Sequence, residues 1–255
     1  WGDQVTNELC RQLMEHGGFY FLDKDKRGDF KTIECLSFIG GMGHPGGGRN
    51  DIPNRLKSKY LCFNMVLPST VSVDNIYGSI MRARFSQKNG FNEKVIGASS
   101  KLTGITIELW NMVQRSLLPT PARFHYTFNM RDVSKVFQGM CICTRESLPK
   151  IEDLCKVWLH ECERIFKDRL INRQDQNMFQ NMMKRNMDKH FKRPYDQVVK
   201  LEPVIFTDFV EGKSNAYMEV SDHQKLVDKV SEAMDDYNAV SKIRLDLVLF
   251  LSFLE

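Results

Sequence analysis

An α/β opening followed by an almost wholly helical remainder is the architecture that this sequence predicts. Three observations lead there. Two short apolar runs, "TIECLSFI" (32–39) and "YLCFNMVL" (60–67), are bounded by polar residues, glycine and proline, as buried strands are. Between them lie a glycine-rich loop and a short helix-forming stretch, so the order is strand, loop, helix, strand, the pattern of an α/β unit with a mostly buried sheet. From Ser69 onward the apolar residues recur at helical spacing instead.

Taken in order, Val5, Leu9 and Leu13 mark a first helix, with Cys10 and Met14 beside them. Gly17 and Gly18 offer its stop, because glycine accepts the left-handed conformation that ends many helices. Phe19 to Leu22 lead into the polar turn "DKDKRGD", and the first strand follows. After the loop "GGMGHPGGGRND" (40–51), "IPNRLKSK" predicts a short helix opening near Pro53, and the second strand ends at Pro68. Beyond Ser69, Val73, Ile76, Tyr77, Ile80 and Met81 share one helical face, and Leu102, Ile105, Leu109 and Val113 share another beside Trp110. "LLPTPARFHY" is a proline-punctuated loop. Asn129 is an N-cap, and Asp132 at the third helical position suits the helix dipole ahead of Val133, Val136, Phe137 and Met140. Leu154, Val157, Trp158, Cys162 and Ile165 mark a long helix running to about Leu170. A polar, methionine-rich helical stretch comes next, then "EPVIFTDFV" as an extended connector, then a last pair of helices over 221–255.

With 255 residues, 42% of them hydrophobic and 27% charged, the chain has the composition of a globular protein large enough for one large or two modest domains. A net charge of +4 is compatible with nucleic acid or acidic protein surfaces and selects neither. No stretch approaches the roughly 20 apolar residues that span a bilayer, so no membrane contact is expected. The opening "WGDQVTNELC" is polar, unlike a signal peptide, and a start on Trp1 without methionine reads as a piece cut from a longer chain. The seven cysteines, at 10, 35, 62, 141, 143, 155 and 162, include no C-x-x-C, so reduced thiols are expected rather than a zinc ribbon or a redox pair.

The glycine loop does not cradle a phosphate by itself. A P-loop reads G-x-x-x-x-G-K-[ST], whereas Gly48 is followed by Arg49, Asn50 and Asp51. Gly41-Met42-Gly43-His44-Pro45-Gly46 has the letters of a dinucleotide fingerprint, but Pro45 breaks the strand-to-helix entry that the fingerprint requires. His160-Glu161 begins H-E-x-x-H, yet the second ligand position is Arg164, which cannot bind zinc; a surface pair of Glu161 with Arg164 is expected in its place. "KRNMDKHFKR" (184–193) carries five Lys/Arg but only Phe191 for base stacking, so it reads as a solvated helix face rather than a nucleic-acid site. Two arginines stand out differently. Arg55 follows the glycine loop on a short helix, and Arg131 lies in the first turn after the Asn129 cap, where a guanidinium and the helix N-terminus would both favour an anion.

Four stretches in order, "WGDQVTNELCRQLMEHGGFY", "MGHPGGGRNDIPNRL", "LLPTPARFHYTFNMRDVSKVFQGM" and "VWLHECERIFKDRLI", resemble a dynein heavy chain, specifically the third AAA+ module of the motor ring in its axonemal, outer-arm form. The resemblance runs from Trp1 through the connector to "LDLVLF" near the end. It implies the C-terminal part of an AAA+ α/β large subdomain over 1–68, a helical lid over 69–200, and a connector with helices leading to the next module over 201–255. It implies ATP or ADP with Mg2+ as cofactor. It also implies Arg55 as the arginine finger that reaches the preceding module, with Arg49 as a second candidate, and Arg131 as the sensor-II arginine. The sensor-I position, often asparagine in the family, falls on Gly43, which implies a regulatory or slowly hydrolysing module. The P-loop and the acidic magnesium motif would precede Trp1, so this piece alone is expected to be inactive. Implied partners are neighbouring AAA+ modules of the same heavy chain and, through other parts of it, light chains, intermediate chains and microtubules. The implied setting is the cytoskeleton of the cytoplasm and the ciliary or flagellar axoneme. Another kind of AAA+ remodelling ATPase, or a basic helical protein-binding module without nucleotide chemistry, are the alternatives.

Overall fold

The first helix, α1 (Val5–His16), ends where the sequence predicts. Gly17 takes the left-handed conformation (φ 67°), and its N–H closes on the Leu13 carbonyl at 3.0 Å. The computed structural model describes residues 4–43, 50–66, 68–191, 194–200, 202–210 and 216–247. Its chain divides into two compact units, Trp1–Leu67 and Pro68–Glu255.

In the first unit, α1 leads into an antiparallel hairpin of β1 (Gly18–Tyr20) and β2 (Phe30–Thr32), registered Gly18 to Thr32 and Tyr20 to Phe30. Only glycine fits at position 18, since a Cβ there would lie 2.1 Å from the Lys31 carbonyl oxygen. The polar turn closes the hairpin, and the Tyr20 and Phe30 rings meet edge to face. The short helix α2 (Asn54–Lys57) starts after Pro53, whose fixed φ suits a helix entry, and turns Leu56 inward.

The two expected strands are not formed as predicted. Only Thr32 of 32–39 belongs to a ladder, and 60–66 is irregular, with Ile39 98% and Met65 90% exposed. A strand is stabilised by hydrogen bonds and side-chain pairs from a neighbour, and among the described residues no ladder extends past Thr32 in the first run or includes the second. Apolar β-branched composition alone does not supply that neighbour.

The second unit is helical. Ser69 caps α3 (Thr70–Val73), which continues through a π-helical turn (Asp74–Gly78) into α4 (Ser79–Arg84), one helical path that carries Val73 and Met81 to the core. At the centre runs α5 (Glu93–Ser116), capped by the Asn92 side chain, with Leu102, Ile105, Leu109 and Val113 all buried as their spacing requires. Around it stand α6 (Met130–Ile142), α7 (Ile151–Cys162), which continues through a π-helical turn (Glu163–Lys167), α8 (Arg173–Phe191) and the short α9 (Tyr195–Val198). Trp158 is fully buried, and its indole N–H donates to the Thr106 hydroxyl at 3.0 Å, which settles the polar end of a large apolar side chain. The connector forms a two-residue ladder of β3 (Phe206–Thr207) with β4 (Met218–Glu219), and α10 (His223–Val240) follows. Of the expected last pair of helices, α10 is the one seen; 241–247 is irregular and 248–255 lies outside the described residues.

The fold class is therefore the mixed opening and helical remainder that the sequence implies, with far less sheet in the opening than expected.

Candidate functional site

The start of α6 is built as a rigid platform. Asn129 is extended, and its Oδ1 accepts from the Arg131 N–H at 2.9 Å. In return the Asp132 carboxylate accepts from the Asn129 N–H at 2.8 Å, completing a reciprocal capping box. Asp132 is 5% exposed, a burial that a carboxylate tolerates only with partners. The second partner is Arg169, whose Nη2 lies 2.8 Å from Asp132 Oδ1. Arg169 also donates from Nη1 to the Thr127 carbonyl at 3.2 Å and from Nε to the Ile165 carbonyl at 3.0 Å, with its guanidinium 5.0 Å over the Phe128 ring.

On this platform Arg131 is exposed, and its guanidinium has no ion pair or hydrogen bond among the described residues. It stands at the first helical turn, where the helix field favours negative charge. The arrangement suits an anionic group.

Arg55 belongs to the first unit. Its side chain is 57% exposed on α2, with Nη2 3.4 Å from Glu8 Oε2 on α1. Glu8 also accepts from Arg11 and from Gln12; the Arg11 hydrogen bond is the main cause that holds its carboxyl at about 2, below the usual carboxylate range. Arg55 is thus tethered by a carboxylate on a neighbouring helix while its head faces solvent. Gly43 lies in an exposed irregular stretch rather than at the end of a strand, so the strand-to-loop setting expected for it is not observed. Arg49 lies outside the described residues.

The H-E fragment turns inward, not outward. His160 Nδ1 donates to the Val204 carbonyl at 3.0 Å, and burial pushes the imidazole down to about 4, so it is neutral near pH 7. The Glu161 carboxylate accepts from the Tyr217 hydroxyl at 2.6 Å, and burial pushes its carboxyl up to about 7. Glu161 is buried and not on the surface expected for its pair with Arg164; the Arg164 charge still acts on it, against the effect of burial, while Arg164 bridges to Asp168 at 3.2 Å. Among the described residues no group of three or more His, Cys, Asp or Glu could hold a metal ion.

In the basic stretch, Lys189 and His190 both reach Glu108, at 2.6 and 2.8 Å, Lys184 lies over the Tyr195 ring, and Phe191 packs against Trp158. An open concavity of about 240 Å³ between the starts of α5 and α7 is lined by Asn92, Lys94, Pro149 and Lys150 and contains none of the predicted site residues.

Asp132 entered the sequence reading only as a dipole partner, and Arg169 did not enter it. The two are far apart in the chain, and a capping box carries no sign of which distant cation will neutralise its buried acid.

Comparison with known proteins follows the same division of the chain. Residues 1–68 match the family model described as the P-loop containing dynein motor region, and residues 102–201 match that of the AAA+ lid domain. The dynein gamma chain of the flagellar outer arm of Chlamydomonas reinhardtii is 42% identical over 225 residues, which cover 82% of this chain and 5% of the relative. Dynein axonemal heavy chain 5 of Mus musculus is 42% identical over 217 residues, 85% of this chain and 5% of the relative. Dynein axonemal heavy chain 10 of Homo sapiens is 35% identical over 259 residues, 100% of this chain and 6% of the relative. The chain thus spans about a twentieth of the length of these relatives.

Proposed function

The chain belongs to the dynein heavy-chain family, and from that premise we propose that it supplies part of a motor ring that drives ciliary movement along microtubules. In this reading, 1–68 is the end of an AAA+ large subdomain, 69–200 is the lid of the same module, and 201–255 leads to the next module. The module is the third of an outer-arm axonemal heavy chain. Relatives named for the flagellar outer arm and the axoneme support the setting.

The observation that carries the reading is Arg131, exposed in the first turn of a doubly capped helix within the residues that match the AAA+ lid domain. A cation so placed fits the phosphates of the module's own nucleotide. Bound ATP with Mg2+ supplies the phosphoanhydride whose terminal phosphoryl group passes to water. Arg131 holds the lid to that charge, so the lid's preferred orientation follows what is bound. Arg55, exposed on α2 and tethered by Glu8, serves the preceding module in trans as an arginine finger. No G-x-x-x-x-G-K-[ST] occurs in the sequence, so other parts of the heavy chain supply most of the nucleotide contacts. Light chains, intermediate chains and microtubules are likewise engaged elsewhere in that chain. With glycine at position 43, where family members often carry asparagine, the module acts as a regulatory gate whose state passes around the ring as rigid-body motion.

The test is Arg131→Ala in the intact motor. Loss of a charge-assisted hydrogen bond worth about 1.5–3 kcal/mol predicts nucleotide affinity at this module lowered roughly 10- to 100-fold. Microtubule-stimulated turnover becomes poorly regulated while basal turnover largely persists. Unchanged affinity refutes the sensor role, and complete loss of basal turnover refutes the regulatory one.

A further inference from the structure

Arg169 has more to do than close an ion pair. Its three kinds of guanidinium nitrogen meet three separate acceptors, Ile165 O, Thr127 O and the Asp132 carboxylate, while its own carbonyl accepts from His125 Nε2 at 3.0 Å. Next to it, the Tyr126 hydroxyl accepts from the Ile171 N–H at 3.0 Å and donates to Asp175 at 2.9 Å, and Arg123 reaches the same carboxylate oxygen at 2.8 Å. The whole segment leading into Arg131 is pinned to the segment that follows α7.

We propose that Arg169 is a positioning residue for Arg131, fixing through Asp132 the start of α6 in the one geometry that presents Arg131 to a nucleotide phosphate. The proposal rests on the sensor reading of Arg131 given above. Without Arg169, the buried Asp132 carboxylate keeps only the Asn129 N–H and must either turn to water or take up a proton. Each response loosens the capping box that sets the Arg131 backbone. A planar fork is needed because the three acceptors lie in different directions; a lysine keeps the charge but presents it at a single point.

The experiment is a double-mutant cycle in the full heavy-chain motor, with the P-loop lysines of the other modules replaced so that one nucleotide site reports. The probe is a fluorescent ADP analogue. Arg169→Lys is expected to weaken it about 5- to 30-fold when Arg131 is present, somewhat less than loss of Arg131 itself, and less than about 2-fold when Arg131 is already alanine. A merely structural role predicts the same factor in both backgrounds, and that additive result overturns the proposal, as does an Arg169→Lys variant that binds normally. Asp132→Asn provides a second arm, because the amide oxygen still accepts from Asn129 while the ion pair is lost; its effect must likewise vanish without Arg131. If Arg131→Ala alone leaves binding unchanged, the sensor reading has failed and the positioning role fails with it. If Arg131→Ala weakens binding and Arg169→Lys does not, only the positioning role has failed.

Discussion

At Gly139, α6 and α7 approach so closely that an added Cβ would lie 2.0 Å from Glu161 Oε2 and 2.1 Å from its Cδ. Glu161 is 7% exposed, and its carboxylate is occupied by the Tyr217 hydroxyl at 2.6 Å. Gly139→Ala therefore has to push that carboxylate more than about 1 Å to reach ordinary van der Waals separation, which breaks the Tyr217 contact. Overpacking costs about 1–3 kcal/mol, and the lost bond to a charged group about 1.5–3 kcal/mol. Better helix propensity returns about 1 kcal/mol of that. The expected net loss is on the order of 2–4 kcal/mol, read as a lower urea midpoint with an unchanged slope in far-UV circular dichroism. The sign of the same substitution reverses when the obstacle is removed. In a Glu161→Ala background, Gly139→Ala meets no carboxylate and is expected to stabilise by up to about 1 kcal/mol. A Gly139→Ala that is neutral in the parent sequence, or equally costly in both backgrounds, refutes the packing argument.

Two further outcomes follow from named contacts. His160 is held down at about 4, against an ordinary value of 6.5, so the stability it contributes is present above pH 6.5 and lost as pH falls toward 4. Glu161 is held up at about 7, against 4.5, so its contribution is present below pH 4.5 and lost as pH rises through 7. Each is worth roughly 3 kcal/mol at full extent. Their slopes oppose one another between these limits, so Glu161→Gln is expected to make stability climb with pH across about pH 5–6.5, more steeply than in the parent chain. An identical slope in urea titrations of the two would show that Glu161 is not the opposing group. At the start of α6, Asn129→Ala is expected to cost about 1 kcal/mol, recovered by Asn129→Asp, in the same unfolding assay. No loss with alanine would mean that the cap contributes nothing.

The sequence carried the helices of both units well because each signal there was local. The Val5-Leu9-Leu13 spacing with Gly17, the Asn129–Asp132 cap, and the Leu102-Ile105-Leu109-Val113 face each encode their own geometry within a few residues. Strands do not, and this is why 32–39 and 60–66 were misread: their composition suits a sheet, but a ladder needs a partner segment that local pattern cannot name. The same limit applied to the site. The Asn129 cap that sets the Arg131 backbone was legible, whereas Arg169, 37 positions beyond its Asp132 partner, was not. Glu161 was misjudged for a related reason. Its i,i+3 relation to Arg164 suggested a surface pair, but the nearby Gly139 opens a slot on α6 that draws the carboxylate into the core.

These contacts give α7 and its continuation a particular position in the helical unit. Toward one side, His160 holds the Val204 carbonyl, Glu161 holds the Tyr217 hydroxyl, and Lys156 holds Glu219 at 2.7 Å, so the β3–β4 connector is gripped along the helix face at three points. Just past its end, the turn after the helical path carries Arg169, which holds Asp132 and the start of α6. A helix is stiff along its axis because every turn is hydrogen-bonded to the next. The grip on the connector and the grip on the start of α6 are therefore joined by one short run of chain, α7 and the turn after it. Two buried acids stand at these grips, Asp132 and Glu161, and each is met by one distant donor side chain, Arg169 and Tyr217.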